Sequence, residues 1–254
     1  MSGSKGNCFL VKDEKTQILV DAGITYKKYT EFMTELKCDP LDLAGILISH
    51  EHSDHISGAG VLHRKTKTPL YISQNALPCI DKYLGTLVQE PITFLVGDYI
   101  EVGSLIIHPF ISSHDAIDSC NFLIYPQHEE ERKLAIVTDL GIAHNLLKKY
   151  LSSCSTIILE SNHDVSMLKK GPYPWPLKQR ILSKTGHLSN EQARALMEEV
   201  ISQNHKQIIL THLSEINNTP EIAYREMKNM LININSQTKL FVASQYQCTE
   251  LFHV

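Results

Sequence analysis

The sequence predicts a layered α/β fold, in which sheets of strands are covered by helices. Short apolar runs alternate with stretches of helical periodicity, and the early part of the chain is richer in strands than the later part. Residues 44–49, 134–138 and 208–211 are apolar almost throughout, which is typical of strands buried on both faces. No internal repeat or long linker divides the 254 residues, so we expect one domain that spans 1–254.

The individual elements follow from hydrophobic period, turn residues and capping signals. Strands are predicted at 8–11, 17–21, 45–49, 70–73, 105–110, 121–125, 133–138, 156–160, 207–211 and 240–243. Helices are predicted at 25–36, 56–65, 142–151, 190–203 and 220–234. Ser189 and Gln192 have the spacing of a capping box, and Thr219 precedes Pro220 at a helix start. The Pro-rich segment 171–176 is predicted to be a surface loop.

Composition excludes several classes of protein. The chain is 43% hydrophobic and 20% charged, which excludes disorder. No apolar run of about 18 residues exists, so we expect no membrane span. The start has no apolar signal segment, and six scattered cysteines suit reduced thiols, so we expect a cytoplasmic protein. A net charge of −4 argues against a uniformly basic surface but not against a local basic patch. Oligomeric state cannot be read from the sequence.

The densest cluster of metal-binding side chains follows the predicted strand 45–49. The segment His50-Glu-His-Ser-Asp-His55 offers three histidines and one aspartate, which are ligands of zinc and its first-row neighbours. His50 and His52 are two residues apart, so only an extended chain points them the same way. Asp54 and His55 come after a turn and are placed to serve a second ion. The alternative, a solvated polar loop, explains this density poorly.

This segment matches the H-x-H-x-D-H signature of metallo-β-lactamase-fold hydrolases, and the chain resembles that family. The resemblance implies an αββα sandwich, usually with two metal ions, and further ligands along the chain. His114, Asp139 and His212 each follow a predicted apolar strand, where α/β sheets place ligands. Taken singly, Asp139 reads equally well as a turn residue before Gly141, and Asp115 competes with His114.

The resemblance implies two divalent metal ions, each with three ligands of its own, and one bridging carboxylate. The ligands of the first ion are His50, His52 and His114. Those of the second are Asp54, His55 and His212, and the bridging carboxylate is Asp139. Histidine and carboxylate ligands suit Zn, Mn or Fe, and the sequence does not choose among these metals. His108 also lies in this part of the chain, but it stands inside a predicted strand beside Pro109 and is interpreted as structural.

Glu160 and His187 resemble the catalytic pair of the transfer-RNA 3′-processing endonucleases, tRNase Z. Glu160 ends the predicted strand 156–160, and His187 stands in a Gly-His loop before the predicted capped helix. The alternatives are a surface acid at a strand end and a residue at a helix entry. His163 follows soon after Glu160, and a loop histidine is the preferred interpretation.

Over a longer span the chain resembles the bacterial YycJ/WalJ exonuclease family. The matching segments are 2–7, 50–55, 136–141, 159–164, 173–182, 186–190 and 212–220, of which 173–175 and 186–190 are the most specific. The family implies a DNA exonuclease that acts from 5′ ends and is linked to DNA repair. Pro176 stands where serine is expected, which fits a helix start. Segment 2–7 either approaches the metals or a phosphate with its backbone or is a flexible terminus.

The proposed residues suit phosphodiester hydrolysis. Two metals stabilise anionic oxygens and generate hydroxide from water. Asp54 is the expected general base, and the resemblance implies that His187 acts as proton donor, with Glu160 orienting it. Substrate contacts are expected in the stretch 165–186, which has five basic residues and no acidic residue. The candidates are Lys178, Arg180, Lys184 and Trp175. The alternative is a solvated helix face with the aromatic residues anchored in the core.

The sequence therefore predicts a metal-dependent phosphodiester hydrolase, a DNA exonuclease acting from 5′ ends, with nucleic acid as its partner and no membrane association. The alternative is a small-molecule ester, thioester or lactone hydrolase on the same fold, since fold alone never fixes substrate. A non-catalytic nucleic-acid-binding module is the third hypothesis, but it requires a broken metal site. The chain lacks room for the large inserted domain of the RNA-cleaving β-CASP enzymes.

Overall fold

The computed structural model describes residues 1–254, and its strands form two sheets. The chain divides into two compact units. The first unit contains Met1–Ile111, Ala116–Cys120 and Ser244–His253. The second contains Ser112–Asp115, Asn121–Ala243 and Val254. None of the helices combines the length and the apolar character that crossing a bilayer requires.

The first unit is built on a five-stranded sheet with the order β1-β2-β3-β4-β5. The strands β1 and β2 are antiparallel, and β2 to β5 are parallel. A further antiparallel pair, β6 and β7, completes its strands. The seven strands are Phe9–Lys12, Gln17–Val20, Gly45–Ile48, Leu70–Ser73, Ile92–Phe94, Ile100–Val102 and Leu105–Ile111. The four helices, α1 to α4, are Tyr26–Glu35, Ser53–Ile56, Ala59–Thr66 and Leu77–Leu84.

The core of the first unit lies between this sheet and its helices. The strands β2, β3 and β4 are buried along their whole length, and α1 contributes Tyr29 and Met33 to the same cluster. Burying one large apolar side chain contributes roughly 1.5–3 kcal/mol, so this cluster fixes the position of the strand ends. The loop after β3, which carries the H-x-H-x-D-H segment, begins at one of these ends.

The second unit has the strand order β12-β11-β10-β9-β8, in which β9 to β12 are parallel. Its strands, β8 to β12, are Cys120–Pro126, Leu134–Val137, Thr156–Glu160, Gln207–Thr211 and Lys239–Val242. Its helices, α5 to α9, are Asn145–Ser152, Val165–Lys170, Trp175–Ile181, Asn190–Val200 and Pro220–Asn233. The carboxyl ends of β9, β10 and β11 lie side by side because these strands are parallel neighbours.

The predicted elements are confirmed for the ten longer strands and five helices, with ends that move by up to three residues. The predicted helix 56–65 is two helices, α2 and α3, and the capping box at Ser189 and the cap at Thr219 are both present. The strands β5 and β6 and the helices α4, α6 and α7 were not predicted. The Pro-rich segment is only partly a loop, because α7 begins at Trp175 with Pro176 in its first turn. The single domain over 1–254 stays a prediction.

Candidate metal centre

In the first unit, the H-x-H-x-D-H segment leaves β3 as extended chain and then turns into α2. His52 has φ −67° and ψ 144°, so the prediction of an extended start is confirmed. The rings of His50 and His52 lie 4.6 Å apart, and those of His50 and His55 lie 4.1 Å apart. The Nδ1 of His50 lies 2.9 Å from the Ser49 hydroxyl, so Nε2 is the nitrogen on the far side of the ring.

Asp21 holds this cluster in place, although it is not among the residues predicted for the site. Its carboxylate is buried and lies 2.7 Å from His55 Nδ1, and it accepts hydrogen bonds from the backbone N–H and the hydroxyl of Ser49. A carboxylate on Nδ1 fixes the imidazole tautomer and orientation, which is the usual arrangement around a metal-binding histidine. Asp21 has a φ of 60°, a conformation uncommon for residues other than glycine.

The N-terminal segment 2–7 packs against the same residues and is not a flexible terminus. Ser2 and Asn7 are buried, and the Ser2 hydroxyl donates to the Asn7 side-chain oxygen at 2.5 Å. The Asn7 amide donates to Asp54 Oδ2 at 3.2 Å and lies 3.0 Å from His55 Nε2. Asn7 therefore orients two of the predicted metal ligands, and its small neighbours let the backbone approach them.

Gly23 makes this close approach possible. Its backbone N–H donates to the Asn7 carbonyl, and a Cβ at this position would lie 1.7 Å from the Asp54 carbonyl oxygen. We expect Gly23→Ala to destabilise the protein by about 3 kcal/mol, since a backbone atom cannot move away as a flexible side chain does. Urea unfolding measures this loss.

Gly97→Ala is the comparison for this variant. No atom lies within 4 Å of a Cβ at Gly97, so its cost comes only from the backbone conformation, φ 107°. A loss well below about 1 kcal/mol in Gly23→Ala would contradict the close contact as the reason for glycine at position 23.

In the second unit, two of the predicted ligands stand in strained backbone just after strand ends. Asp139 follows β9 with a φ of 54°, and His212 follows β11 with a φ of 56°. Such conformations cost roughly 1–3 kcal/mol and gather at functional sites. Ser112 fixes the Asp139 backbone, because its hydroxyl donates to the Asp139 carbonyl at 2.7 Å.

The Asp139 carboxylate is buried among three imidazole rings. Its Oδ1 lies 3.6 Å from His114 Nε2, 3.7 Å from His212 Nε2 and 3.6 Å from His187 Nδ1. His114 and His212 are predicted to serve different metal ions, so a single carboxylate oxygen lies beside one ligand nitrogen of each. This arrangement suits a bridging carboxylate better than a solvated turn residue.

Glu160 organises the histidines of this unit. Its Oε1 lies 2.7 Å from His187 Nδ1 and 2.8 Å from His212 Nδ1, and its Oε2 accepts from the backbone N–H of Leu140 and Leu188. Burial alone would raise the pKa of Glu160, but the charge and hydrogen bonds of His187 and His212 hold the pKa well below its ordinary value. Glu160 is therefore a buried carboxylate and not a surface acid.

The pKa of His187 is raised above its ordinary value. Desolvation lowers the pKa of this ring, but the adjacent Glu160 carboxylate outweighs desolvation, with a smaller contribution from Asp139. The donor atoms of Asp139, Glu160, His187 and His212 lie within 4.8 Å of one another and form a group able to hold a cation. His187 therefore contacts a buried carboxylate beside the predicted ligands and does not merely precede a helix.

The predicted substrate-binding residues occupy different environments. Trp175 is 62% exposed, so it does not anchor its loop in the core. Lys184 is exposed. Lys178 is buried, and its ammonium donates to the carbonyls of Lys169 and Gly171 at 2.8 and 2.7 Å. This position argues against a phosphate contact for Lys178, because its charge holds the loop between α6 and α7.

Comparisons with known proteins identify the family of the chain. The model of the metallo-β-lactamase superfamily matches residues 2–82. The exodeoxyribonuclease YycJ of Bacillus anthracis is 38% identical over 231 residues, 91% of this chain and 86% of that protein. The exodeoxyribonuclease WalJ of Streptococcus pneumoniae serotype 2 is 39% identical over 233 residues, with the same shares of each chain. The chain belongs to the YycJ/WalJ family of metallo-β-lactamase-fold exodeoxyribonucleases.

The fold of this YycJ/WalJ-family protein is equally clear. The crystal structure of the metallo-β-lactamase fold protein YhfI from Bacillus subtilis has a TM-score of 0.73 with it, covering 97% of this chain and 94% of that chain. Their sequences are only 16% identical, so this likeness concerns the fold alone. The predicted α/β metallo-β-lactamase fold and the predicted hydrolase class are both confirmed.

Proposed function

We propose that this YycJ/WalJ-family protein is a DNA exonuclease that degrades DNA from 5′ ends with the help of two divalent metal ions. The observation that carries the proposal is the Asp139 carboxylate, whose Oδ1 lies beside the Nε2 atoms of both His114 and His212. The family relationship over 91% of the chain supports DNA as the substrate. A nucleic-acid partner, a cytoplasmic location and a role in DNA repair belong to the same proposal.

The donor set of the chain fits such ions. We propose that three ligands bind each ion and that one carboxylate bridges them, in the order His50, His52, His114; Asp54, His55, His212; and Asp139. Two of the histidines, His55 and His212, have a buried carboxylate on Nδ1, which favours the tautomer whose Nε2 carries no proton, as a ligand nitrogen requires. Imidazole with carboxylate suits Zn, Mn or Fe.

The side chains around the ligands have distinct roles in hydrolysis. When bound, the ions would polarise a phosphate oxygen and lower the pKa of a water molecule. Asp54 accepts the proton of the attacking water, and the Asn7 amide, 3.2 Å from Asp54 Oδ2, holds its carboxylate in place. His187 donates a proton to the leaving oxygen from Nε2, because Glu160 occupies Nδ1.

The exposed basic stretch gives the polymer a place to bind. We propose that Trp175 stacks on a base and that Lys184 contacts the phosphate backbone. Both side chains are exposed on the second unit, whose helices α6 and α7 carry no acidic residue. No feature of the site favours a small ester, thioester or lactone over a polynucleotide, so that alternative is not proposed.

The test is the degradation of end-labelled DNA by protein stripped with a chelator and then reloaded with Zn, Mn or Fe. We expect loss of activity on chelation, recovery with at least one metal, and release of the 5′ label before the 3′ label. Asp54→Ala should lower turnover by about 10²–10⁴-fold, the contribution of a positioned general base. Labelled RNA of the same sequence is the comparison for substrate class.

Asp81→Ala on α4 is the matched control, because this exposed aspartate lies outside the proposed site. It should retain the turnover of the unmodified protein. Degradation that survives chelation, or full activity of Asp54→Ala, would refute a metal-dependent nuclease, and release of the 3′ label first would refute the 5′ direction.

A further inference from the structure

Arg180 on α7 and Asp115 form an ion pair beside the predicted metal ligands of the second unit. Both oxygens of the Asp115 carboxylate accept from the guanidinium, one from Nε and the other from Nη2 at 3.0 Å. Two parallel hydrogen bonds of this kind are the geometry with which arginine also grips phosphate. Asp115 follows His114 directly in the chain.

The Asp115 carboxylate lies between Arg180 and a predicted ligand nitrogen, that of His114. Asp115 Oδ1, which accepts from Arg180 Nη2, lies 3.4 Å from His114 Nε2. The other nitrogen of this ring, Nδ1, lies 3.2 Å from the Gly186 carbonyl, so Nε2 is the atom that faces the proposed cation. An anion that binds beside His114 therefore arrives within reach of the guanidinium.

The pair contributes little to stability. The side chains of Arg180 and Asp115 are 52% and 32% exposed. Solvent-exposed ion pairs contribute about 0–1 kcal/mol, so exchanging one anionic partner for another has a small free-energy cost. This ion pair is therefore suited to exchange and poorly suited to holding the fold.

The backbone around Arg180 is fixed, so the exchange needs only side-chain movement. The Lys178 ammonium ties α7 to the two carbonyls at the end of α6, and Ile181 is buried. A Cβ at Gly186 would lie 2.3 Å from the Arg180 carbonyl oxygen, so the chain returns tightly against this residue. Rotamer changes of exposed side chains take place in picoseconds to nanoseconds, which is fast compared with turnover.

We propose that Arg180 binds a phosphate of the substrate and that Asp115 occupies its guanidinium until the phosphate replaces the carboxylate. The proposal rests on the proposed nuclease function and names the oxyanion that this part of the site recognises. The phosphate is either the 5′-terminal phosphate or an internal phosphodiester, because both offer the same oxygens to the guanidinium.

The experiment measures binding rather than turnover. Chelated protein is titrated into fluorescent single-stranded DNA of one sequence, bearing either a 5′-phosphate or a 5′-hydroxyl, and anisotropy gives Kd. We expect Arg180→Ala to raise Kd about tenfold or more, in line with the loss of hydrogen bonds to a charged group. Asp115→Asn should lower Kd several-fold, because the competing carboxylate has lost its charge.

The opposite signs distinguish this mechanism from a structural ion pair, whose loss would weaken binding in both variants. Arg225→Ala, an exposed arginine on α9, removes the same charge and should change Kd far less. An effect of Arg180→Ala confined to the 5′-phosphate DNA assigns the terminal phosphate, and an equal effect on both DNAs assigns an internal one. The metal content of the Arg180→Ala and Asp115→Asn variants after reloading checks that the proposed metal site around His114 is intact in both.

Two results overturn the proposal. DNA binding by the unmodified protein with no change in Arg180→Ala, or weaker binding by Asp115→Asn, would refute this inference alone. No DNA binding by the unmodified protein, either chelated or reloaded with metal, would refute the proposed function and this inference with it.

Discussion

Replacing Glu160 with glutamine is expected to lower nuclease turnover by about 10²–10⁴-fold, the range that a positioned proton donor contributes. The glutamine keeps the size of the side chain, and its oxygen still accepts from the N–H of Leu140 and Leu188. Its amide then faces His187 Nδ1 and His212 Nδ1, where the carboxylate oxygen stood. An amide donates, so both rings must accept at Nδ1 and carry their proton on Nε2.

The change of tautomer weakens metal binding at His212. The loss of the Glu160 charge weakens the acid, because the carboxylate that raises the pKa of His187 is gone and a neutral ring is a poorer proton donor. His212 with a proton on Nε2 no longer presents a lone pair to a cation, so we expect metal affinity to fall by about 10–100-fold. Isothermal titration of the chelated protein with Zn or Mn measures this loss, and steady-state kinetics at saturating metal isolates the effect on His187. Glu199→Gln, at an exposed ion pair on α8, is the matched control and should change neither quantity. Wild-type metal affinity in Glu160→Gln would contradict the assigned tautomer.

The same variant has a signature in the pH dependence of stability, measured in chelator so that no metal contributes. Because folding lowers the pKa of Glu160, its carboxylate stabilises the fold at pH values above the ordinary pKa of glutamate. This stability is lost as the pH falls through the lowered pKa. Because folding raises the pKa of His187, its protonated ring stabilises the fold at pH values below the ordinary pKa of histidine. This stability is lost as the pH rises through the raised pKa. The pair therefore stabilises most between about pH 5 and 6. A melting-temperature maximum in that window should flatten in Glu160→Gln.

The sequence predicts the strand ends of this protein well, because the strands are buried and apolar. The strands β4, β10 and β11 have the predicted bounds, and His212 follows β11 as expected. The very short strands β5 and β6 escaped prediction, since three residues carry too little periodicity to recognise. The helix α6 was missed because its start depends on a single cap, the Asp164 carboxylate on the Met167 N–H.

The site was predictable where ligands follow one another in the chain and much less so where they are supported from a distance. Asp21 follows the apolar run 18–20 much as Asp139 follows 134–137, and this repeated pattern was the available signal for its role. The support that Asn7 gives to Asp54 joins residues 47 positions apart, and no spacing rule predicts it. His163, interpreted as a loop histidine, is fully buried.

Lys178 shows the limit of reasoning from composition. A basic stretch without acids predicts contact with phosphates, and Arg180 and Lys178 fit that pattern equally well in sequence. Only the fold separates them, because the turn between α6 and α7 directs one cation onto two carbonyls and leaves the other half-exposed. A run of basic residues therefore predicts a phosphate-binding surface, but it does not predict which of these residues contact the phosphate and which stabilise the fold.

Asp139→Ala is expected to reduce nuclease turnover by about 10³-fold or more. Metal ions contribute several kcal/mol of charge stabilisation, each 1.4 kcal/mol is a factor of ten, and this carboxylate is the proposed bridge between them. Asp139→Asn should lose nearly as much, since a neutral amide is a poor ligand. The two variants should differ in stability instead, because Asn tolerates the positive φ of 54° at this position and alanine does not.

Stability and turnover together separate the ligand role of Asp139 from its backbone role. In chelator, Asp139→Ala should be less stable than Asp139→Asn by about 1 kcal/mol, the cost of a left-handed conformation for an ordinary residue. Asp118→Ala is the matched control, because Asp118 also has a positive φ, 49°, and accepts hydrogen bonds from Ser73 and Asn75, neither of which is a proposed ligand. It should be destabilised yet keep its turnover. If Asp139→Asn retained turnover near that of the unmodified protein, Asp139 would act through the shape of its loop and not as a metal ligand.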